Sequence, residues 1–291
     1  MRRAVWRWAR LMGAAAILAV LVWRVGTGPF LDGLRAVDAS AVGAAVVLGA
    51  ITTVCAAWRW TAIARGFGRA LPFRSAIAEY YRAQFLNTAL PAGVLGDVNR
   101  GVRHGLRAVV WERVAGQVVQ VAIALVLLSA LPGPARAAMS YVVLAVVAVL
   151  LAVAVVLVRS RAVRAELNRA FGSSWRAVLA ASAVVVAGHT ATFLIAAHTA
   201  GVHASPARLL PLAMLVLIAM AVPLNLGGWG PREGVAAWAF GAVGLGAGAG
   251  VATATVYGVL VIAACLPGAV VLLAKPSPRL ESEPREKVLH G

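Results

Sequence analysis

The chain has 291 residues, of which 62% are hydrophobic and only 13% are charged. This composition excludes an ordinary soluble domain and is typical of a polytopic helical membrane protein. The formal net charge of +17 would indicate nucleic acid as a partner of a soluble protein, but here the basic residues stand between apolar runs. Basic residues beside membrane spans set orientation and meet anionic headgroups, so we expect membrane lipids as partners and no nucleic acid.

Apolar length predicts the membrane spans, which need roughly 17 or more residues. In chain order they are 9–25, 42–58, 114–131, 139–158, 177–200, 209–222 (cut off at Pro223) and 251–273. Trp58, Arg59 and Trp60 are predicted to be an interfacial belt with a basic stop after the second span, and Glu112 and Arg113 to open the third. The first span is expected to stay uncleaved, since no small-residue cleavage site follows it.

The remaining segments are predicted to be helical or irregular. Residues 75–90 are helical in pattern, with Glu79 and Arg82 on one face, and 231–243 form a short helix. The basic segment 159–176 is an exposed loop or surface helix, and 244–250 is a glycine-rich turn. A polar, disordered cytoplasmic tail, 275–291, follows a transmembrane domain at 1–274.

The distribution of Lys and Arg orients these spans. On the side of both termini stand 22 basic residues and on the other side 4, which leaves Arg232 for the interior. The positive-inside rule then predicts a multi-pass protein of the cell membrane with cytoplasmic N- and C-termini. For the number of membrane crossings to place both termini on the same side, residues 82–103 must enter and leave from the cytoplasmic side or lie on it.

Two stretches, 82–103 and 221–234, combine helix breakers with ionisable residues. Inside a membrane protein such backbone is tolerated only where it is buried in protein or lines a polar cavity. Paired broken segments in two halves of a chain indicate a transporter's binding site, and here they share a weak repeat, P-x-G-x-x-G-D-x-x-R against P-x-x-x-G-G-x-G-x-R-E. The predicted fold is therefore all-α and polytopic, with seven or eight membrane segments, two of them broken or re-entrant.

The charged residues of these stretches are the candidate binding site. Pro231 and Glu233 mark a helix start, whose free N–H groups and Arg232 would suit a phosphate. Asp97 is predicted to cap a helix that runs to Arg103. Neighbouring helical residues diverge, so Arg232 is expected to pair with Asp97 or a lipid phosphate and not with Glu233. The structural alternatives are an ordinary helix start and a capped surface helix.

The candidate phosphate-binding or headgroup-binding residues are Arg82, Asn87, Asp97, Arg100, Arg232 and Glu233. The candidate backbone turns, where a ligand could approach the main chain, are Pro91, Gly93, Gly96, Gly227, Gly228 and Gly230. His189 and His198 are expected to be structural. Cys55 and Cys265 lie in apolar runs without metal-ligand spacing, so no metal and no cofactor are expected.

These stretches resemble the lysylphosphatidylglycerol synthase transmembrane region, also called the flippase-like integral membrane family. The matching segments are Q-F-L-N-T-A-L-P-A-G-V-L-G-D-V-N-R at 84–100, E-R-V at 112–114 and P-L-N-L-G-G-W-G-P-R-E-G at 223–234, with Tyr257 in the last span. The resemblance covers roughly residues 10–273, and Leu95 stands where the family has a glycine. It implies the movement of aminoacylated, glycosylated or polyprenyl lipids across a membrane. Some members carry a soluble aminoacyl-transfer domain afterwards, which these residues lack, so lysyl transfer is not expected.

The hypothesis is an integral membrane protein that binds and translocates an anionic, aminoacylated or glycosylated lipid. One alternative is a non-transporting accessory or scaffold subunit for a lipid-modifying or glycosyl-transfer enzyme, and another is a membrane-embedded transferase acting on a lipid phosphate. No catalytic constellation and no Walker motif is evident, so neither enzymatic activity nor direct ATP use is expected. A lipid-modifying enzyme and a homo-oligomer remain open as partners.

Overall fold

This computed structural model describes residue 12 and residues 19–20, 22–89, 95–129, 159–220 and 230–273. Throughout these residues the regular structure is helical, without strands. The helices are α1 Gly28–Ala36, α2 Ala39–Gly66, α3 Phe73–Ala89, α4 Leu95–His104, α5 Leu106–Ser129, α6 Arg161–Phe171, α7 Trp175–Thr199, α8 Pro206–Ala219, α9 Pro231–Ala242, α10 Ala247–Cys265 and α11 Pro267–Leu273.

Four segments of the described chain are long and apolar enough to cross a membrane. They are Ala39–Gly66, Leu106–Leu128, Trp175–Thr199 and Ala247–Leu273. They confirm the predicted all-α membrane fold and four of its spans. The predicted span 139–158, most of 9–25 and the tail lie outside the described residues, so the total of seven or eight segments stays a prediction.

The prediction of an interfacial belt after the second span is wrong in part. α2 continues past Trp58 to Gly66, and Arg59 and Trp60 are buried inside the protein. The third predicted span likewise starts earlier, because α5 begins at Leu106 and carries its charged pair two turns into the helix. Charges that the sequence places at helix ends are therefore inside the bundle.

Small residues allow the helices to pack closely. Gly188 of α7 faces Thr52 of α2 with no room for a side chain between them, and α10 packs against α1, α2, α7 and α9. Such contacts are typical of membrane helices, which gain little from apolar burial against one another and depend on close packing. Phe193, Phe240 and Tyr257 fill the core where α7, α9 and α10 meet.

Several basic segments meet at one end of the described bundle. The end of α2, the start of α5 and the end of α6 line one cavity, which includes Arg69, Arg107 and Arg169. α6 with its exposed arginines confirms the surface helix predicted within 159–176. The sequence places all three segments on the basic side of the membrane, and the structure brings them to the same end.

The first broken stretch turns back on itself as α3 and α4. Gly96 of α4 lies against the backbone of Ala83, Arg103 reaches back to Glu79, and the two helices therefore run antiparallel. A Cβ atom at position 96 would come within 2.6 Å of the Ala83 Cα and 2.7 Å of its carbonyl carbon. Because main-chain atoms cannot move aside as a side chain can, glycine is required at this crossing.

We predict that Gly96→Ala lowers the thermal unfolding midpoint of the purified protein, since forcing α3 and α4 apart costs about 1–3 kcal/mol. The matched control is Gly43→Ala in α2, where an added Cβ meets nothing within 4 Å. There the higher helix propensity of alanine should leave the midpoint unchanged or slightly raised. Equal midpoints for both variants would contradict the close crossing.

Candidate functional site

A buried carboxylate, Glu112, is the centre of an ionic cluster in the first half of α5. One of its oxygens accepts hydrogen bonds from Nε of Arg59 at 3.0 Å, from a second nitrogen of the same guanidinium, and from the Tyr80 hydroxyl at 3.1 Å. The other oxygen accepts from Arg100 at 2.9 Å. Arg59 also donates to the Ser182 hydroxyl at 2.9 Å. Both carboxylate oxygens are thus bonded to positive groups, which a charge in this setting requires.

Arg100 connects this centre to α4. Its Nη2 lies 2.9 Å from both Glu112 Oε2 and Asp97 Oδ1, and its side chain is completely buried. The guanidinium carbon is 4.5 Å from the ring centre of Trp60 and 4.4 Å from that of Tyr80. The face of the guanidinium therefore rests on aromatic rings, which attract a desolvated cation. Arg100 is enclosed by protein and not available to a headgroup.

Asp97 and Arg113 form the accessible end of the cluster. Arg113 donates to both carboxylate oxygens of Asp97, at 2.8 and 2.7 Å, and 44% of its side chain is accessible against 17% for Asp97. Asn87 of α3 donates to Asp97 at 2.9 Å and accepts the Gly96 N–H at 2.7 Å. Three guanidinium groups face two carboxylates in the cluster as a whole, so one positive charge is left over, and Arg113 is its accessible member.

A cavity of about 600 Å³ opens beside Arg113. Its polar lining comes from α2, α3, α4, α5, α7 and α10: Arg59, Asn87, Asp97, Arg113, Gln117, Gln120, His189 and Tyr257. A second cavity of about 190 Å³ shares Asn87, Arg113 and His189 with it and adds the hydroxyls of Thr52 and Thr192. The polar groups of both halves of the chain thus line two neighbouring cavities.

One wall of the larger cavity is apolar and faces outward. Val98, Leu106, Val110 and Val114 line it while remaining between 36% and 59% exposed. The cavity therefore offers charge at its inner end and hydrocarbon contact at its outer wall, which is the polarity of a lipid molecule.

The second broken stretch forms its own buried ion pair. Arg232 donates from Nε to Glu233 Oε1 at 2.8 Å, and Glu233 Oε2 accepts the Gly230 N–H at 2.6 Å. The expected pairing of Arg232 with Asp97 is wrong, since Asp97 pairs with Arg100 and Arg113 among the described residues. In the middle of a helix, the Cβ atoms of neighbouring residues point in different directions, so their side chains diverge. At the first turn of α9, however, the Glu233 side chain turns back to cap Gly230, and there it meets the guanidinium of Arg232.

Tyr257 joins this pair to the cavity. The guanidinium carbon of Arg232 lies 5.9 Å from the Tyr257 ring centre, and the Tyr257 hydroxyl is 3.2 Å from Nδ1 of His189. α10 makes room for Arg232 with Gly258, where a Cβ atom would meet the guanidinium carbon at 2.9 Å. The tyrosine thus has Arg232 against its ring and the cavity at its hydroxyl.

The predicted site residues fall into three groups. Asn87, Asp97 and Arg100 belong to the Glu112 cluster, and Arg232 and Glu233 to the helix start at Gly230. Arg82 is apart, 3.7 Å from Glu79, which confirms their predicted pairing on one helix face. The predictions at Pro91, Gly93, Gly227 and Gly228 lie outside the described residues.

The prediction that Asp97 is the N-cap of its helix is wrong, because α4 begins at Leu95 and runs to His104. The capping role is filled from α3, where Asn87 accepts the Gly96 N–H. A side chain from a different helix can do this only because α3 and α4 are antiparallel, which the sequence does not reveal.

Sequence reasoning missed the residues that organise the site: Arg59, Tyr80, Glu112, Arg113 and His189. The available signal was the presence of ionisable residues within long apolar helices, which are expensive there and usually functional. Among the described residues, no group of three or more His, Cys, Asp or Glu is placed to hold a metal ion.

We predict that Glu112→Gln strongly destabilises the protein, because it leaves two buried guanidinium groups without their carboxylate at a cost of about 3–5 kcal/mol. Glu166→Gln, which removes a partly exposed carboxylate on α6, is the control and should have little effect. The double variant Arg59→Gln/Glu112→Gln should recover part of the loss. Thermal unfolding in detergent measures all three, and a wild-type midpoint for Glu112→Gln would contradict the central role of this residue.

We predict that Asp97 contributes to acid stability. Burial raises the pKa of Asp97, but the charges of Arg113 and Arg100 lower it by more, so its pKa lies below the ordinary value. A depressed carboxylate stabilises the fold fully above its unfolded pKa of about 3.9, and this stabilisation is lost as pH falls through the lower folded pKa. Asp97→Asn should therefore be less stable than the wild type at pH 7 and should converge with it below pH ~4. Asp32→Asn, at an exposed carboxylate of α1, is the control and should be as stable as the wild type at pH 7.

Comparison with known proteins agrees with the resemblance in the sequence. Residues 7–268 match the model of the family described as the lysylphosphatidylglycerol synthase TM region. No curated protein and no solved structure matches the chain. Since the match covers most of the 291 residues and the described part is a bundle of apolar helices, the chain belongs to the family of the lysylphosphatidylglycerol synthase transmembrane region and is a membrane protein.

Proposed function

We propose that this protein binds an anionic lipid in the cavity beside Arg113 and moves it across the cell membrane. The observation that carries the proposal is the accessible guanidinium of Arg113, the open end of a cluster with one excess positive charge. A guanidinium presents a fork of donors that matches the oxygens of a phosphate. Arg113 therefore takes the role that was predicted for Arg100, because Arg100 is enclosed.

Asp97 is the partner that Arg113 leaves when a phosphate binds. Without Arg113, Asp97 keeps hydrogen bonds from Arg100 and from Asn87, so its charge stays compensated. Exchange of one carboxylate for one phosphate at Arg113 therefore leaves no buried charge alone. A lipid with a cationic headgroup substituent would place that substituent near Asp97.

The apolar wall supports a lipid over a water-soluble anion. A phosphate at Arg113 lies behind Val110 and Val114, which are on the same helix and exposed. Acyl chains leaving along this wall reach the hydrocarbon of the bilayer without crossing polar groups. A soluble anion would gain nothing from these side chains.

The depth of the polar residues supports a path into the bilayer. Arg113 is seven residues from the start of α5, or ~10 Å along the axis, and His189 is fourteen residues from the start of α7, or ~21 Å. With cytoplasmic termini, as the basic asymmetry predicts, a headgroup would enter from the cytoplasmic side and reach the middle of the membrane along these residues. In this mechanism the chain performs no bond-breaking step.

The test is transport of fluorescent phosphatidylglycerol in proteoliposomes, followed by quenching of the label in the outer leaflet. Arg113→Gln should reduce the transport rate about tenfold or more, and Arg113→Lys should retain part of it because an ammonium keeps the charge without the fork. Arg176→Gln, at an arginine stacked on Trp175 at the start of α7, is the control and should transport normally.

Unchanged transport by a well-folded Arg113→Gln protein would contradict the proposal. Lipid co-purification separates binding from movement: lipid that is retained through Arg113 but not transported would favour the accessory-subunit alternative. Repeating the assay with phosphatidylcholine and an aminoacylated lipid tests whether anionic charge or the added cationic group is selected.

A further inference from the structure

A third cavity, separate from the Glu112 cluster, lies at the basic end of the bundle. It has a volume of about 590 Å³ and is bounded by the end of α2, the start of α5 and the end of α6. Its lining is Gly66, Phe67, Arg69, Gly105, Leu106, Arg107, Ala108 and Arg169. Leu106 also lines the 600 Å³ cavity beside Arg113 and so stands between the two spaces.

Among the described residues, the positive charge of this basic cavity is only partly compensated. Arg107 pairs with Glu166, its Nε lying 3.3 Å from one carboxylate oxygen, while the other oxygen accepts from the Trp111 indole at 3.0 Å. No described residue forms an ion pair with Arg69 or Arg169, and no carboxylate lines the cavity. Three guanidinium groups and one nearby carboxylate leave two positive charges around one space.

Arg69 lies against the backbone turn at Gly105. Gly105 has a φ of +108°, and a Cβ atom there would come within 2.9 Å of Arg69 Nε and 3.1 Å of its Cδ. The positive φ and the absent side chain together let the guanidinium lie across the turn before α5.

We propose that this basic cavity binds a phosphate monoester. Arginines from three separate segments converge there, and guanidinium groups bind phosphate with paired, charge-assisted hydrogen bonds. The volume is in the range of small-molecule sites, and it exceeds what a single ion needs, so a group attached to the phosphate can also be held. The location at the ends of two spanning helices gives access both to a lipid headgroup and to a soluble phosphorylated compound.

A bound phosphate would have a structural consequence. It would bridge the end of α2, the start of α5 and α6, and would remove the repulsion among the three arginines. α6 is already attached to the bundle through Glu166, which binds Arg107 and Trp111, and the bound phosphate would strengthen that attachment. This inference does not rest on the transport role of Arg113.

The test is titration calorimetry of the full-length protein in detergent with glycerol 3-phosphate and with dioctanoyl phosphatidic acid. Both carry a phosphate monoester, and only the second carries acyl chains. Arg69→Gln/Arg169→Gln should weaken binding about tenfold or more, and Arg69→Lys/Arg169→Lys should weaken it less. The matched control is Arg65→Gln/Arg161→Gln, which removes two exposed charges from the same helices without touching the cavity.

The result that supports the site is a loss of glycerol 3-phosphate binding in the cavity variants while Arg65→Gln/Arg161→Gln keeps the binding. Equal losses in the cavity and control variants would overturn it and leave only general surface charge. Binding that is unchanged by the cavity variants, or no binding of either probe, would overturn it as well. Binding of both probes assigns the phosphate alone, and binding of phosphatidic acid alone assigns a lipid headgroup. Because Arg113 is outside this cavity, failure of the transport proposal would leave these results unaffected.

Discussion

The need to compensate Glu112 is the constraint on which the central structure depends. An ionised carboxylate inside a helical bundle costs several kcal/mol unless positive groups and hydrogen bonds surround it. Compensation here comes from Arg59 on α2 and Arg100 on α4, with the Tyr80 hydroxyl from α3. The requirement therefore fixes four helices relative to one another at a single point. The residue after Glu112 on the same helix is turned by about 100°. Arg113 accordingly makes its short contact with Asp97, at the accessible end of the cluster, and lies 4.0 Å from Glu112. A carboxylate directed inward thus leaves the adjacent arginine directed into the cavity.

Local patterns in the sequence were sufficient for much of the fold. Apolar length predicted the helices that cross the membrane, spacing by three predicted the pair Glu79–Arg82, and the proline at 231 predicted the start of α9. Each of these depends on residues close together in the chain. The Glu112 cluster does not, because Arg59 is 53 residues from its partner. Arg59 also stands between two tryptophans, a composition that equally describes a membrane interface, and only the path of α2 distinguishes a buried arginine from an interfacial one.

The same limit explains why the proposed phosphate ligand is Arg113 and not Arg100 or Arg232, which the sequence predicted. Arg100 and Arg232 were chosen because they lie in broken stretches, and both are indeed inside the protein. A buried arginine, however, must already have partners, and these two are occupied by Glu112, Asp97 and Glu233. The arginine best suited to a ligand is one whose partner can be exchanged without leaving a charge alone. Arg113 meets that condition because Asp97 has other donors, a property of the hydrogen-bond network that no spacing rule expresses.

The two proposed anion sites are related through α5. Arg107 is on the first turn of this helix and Arg113 lies six residues further, ~9 Å deeper along the axis. Leu106 stands between the two cavities, so an apolar side chain separates a surface site with two excess positive charges from an inner site with one.

A negatively charged headgroup is attracted first by the larger and more accessible charge, since its desolvation there is less costly than at depth. The inner site can compete only with additional contacts, and the apolar wall of Val110 and Val114 supplies these for a molecule with acyl chains. If both proposed sites bind phosphate, a phosphate without chains would be retained at the surface, whereas a lipid would gain by moving inward. Selection for lipids over soluble phosphates would then follow from the order of the two proposed sites along one helix, even though an arginine would bind the same chemical group in both.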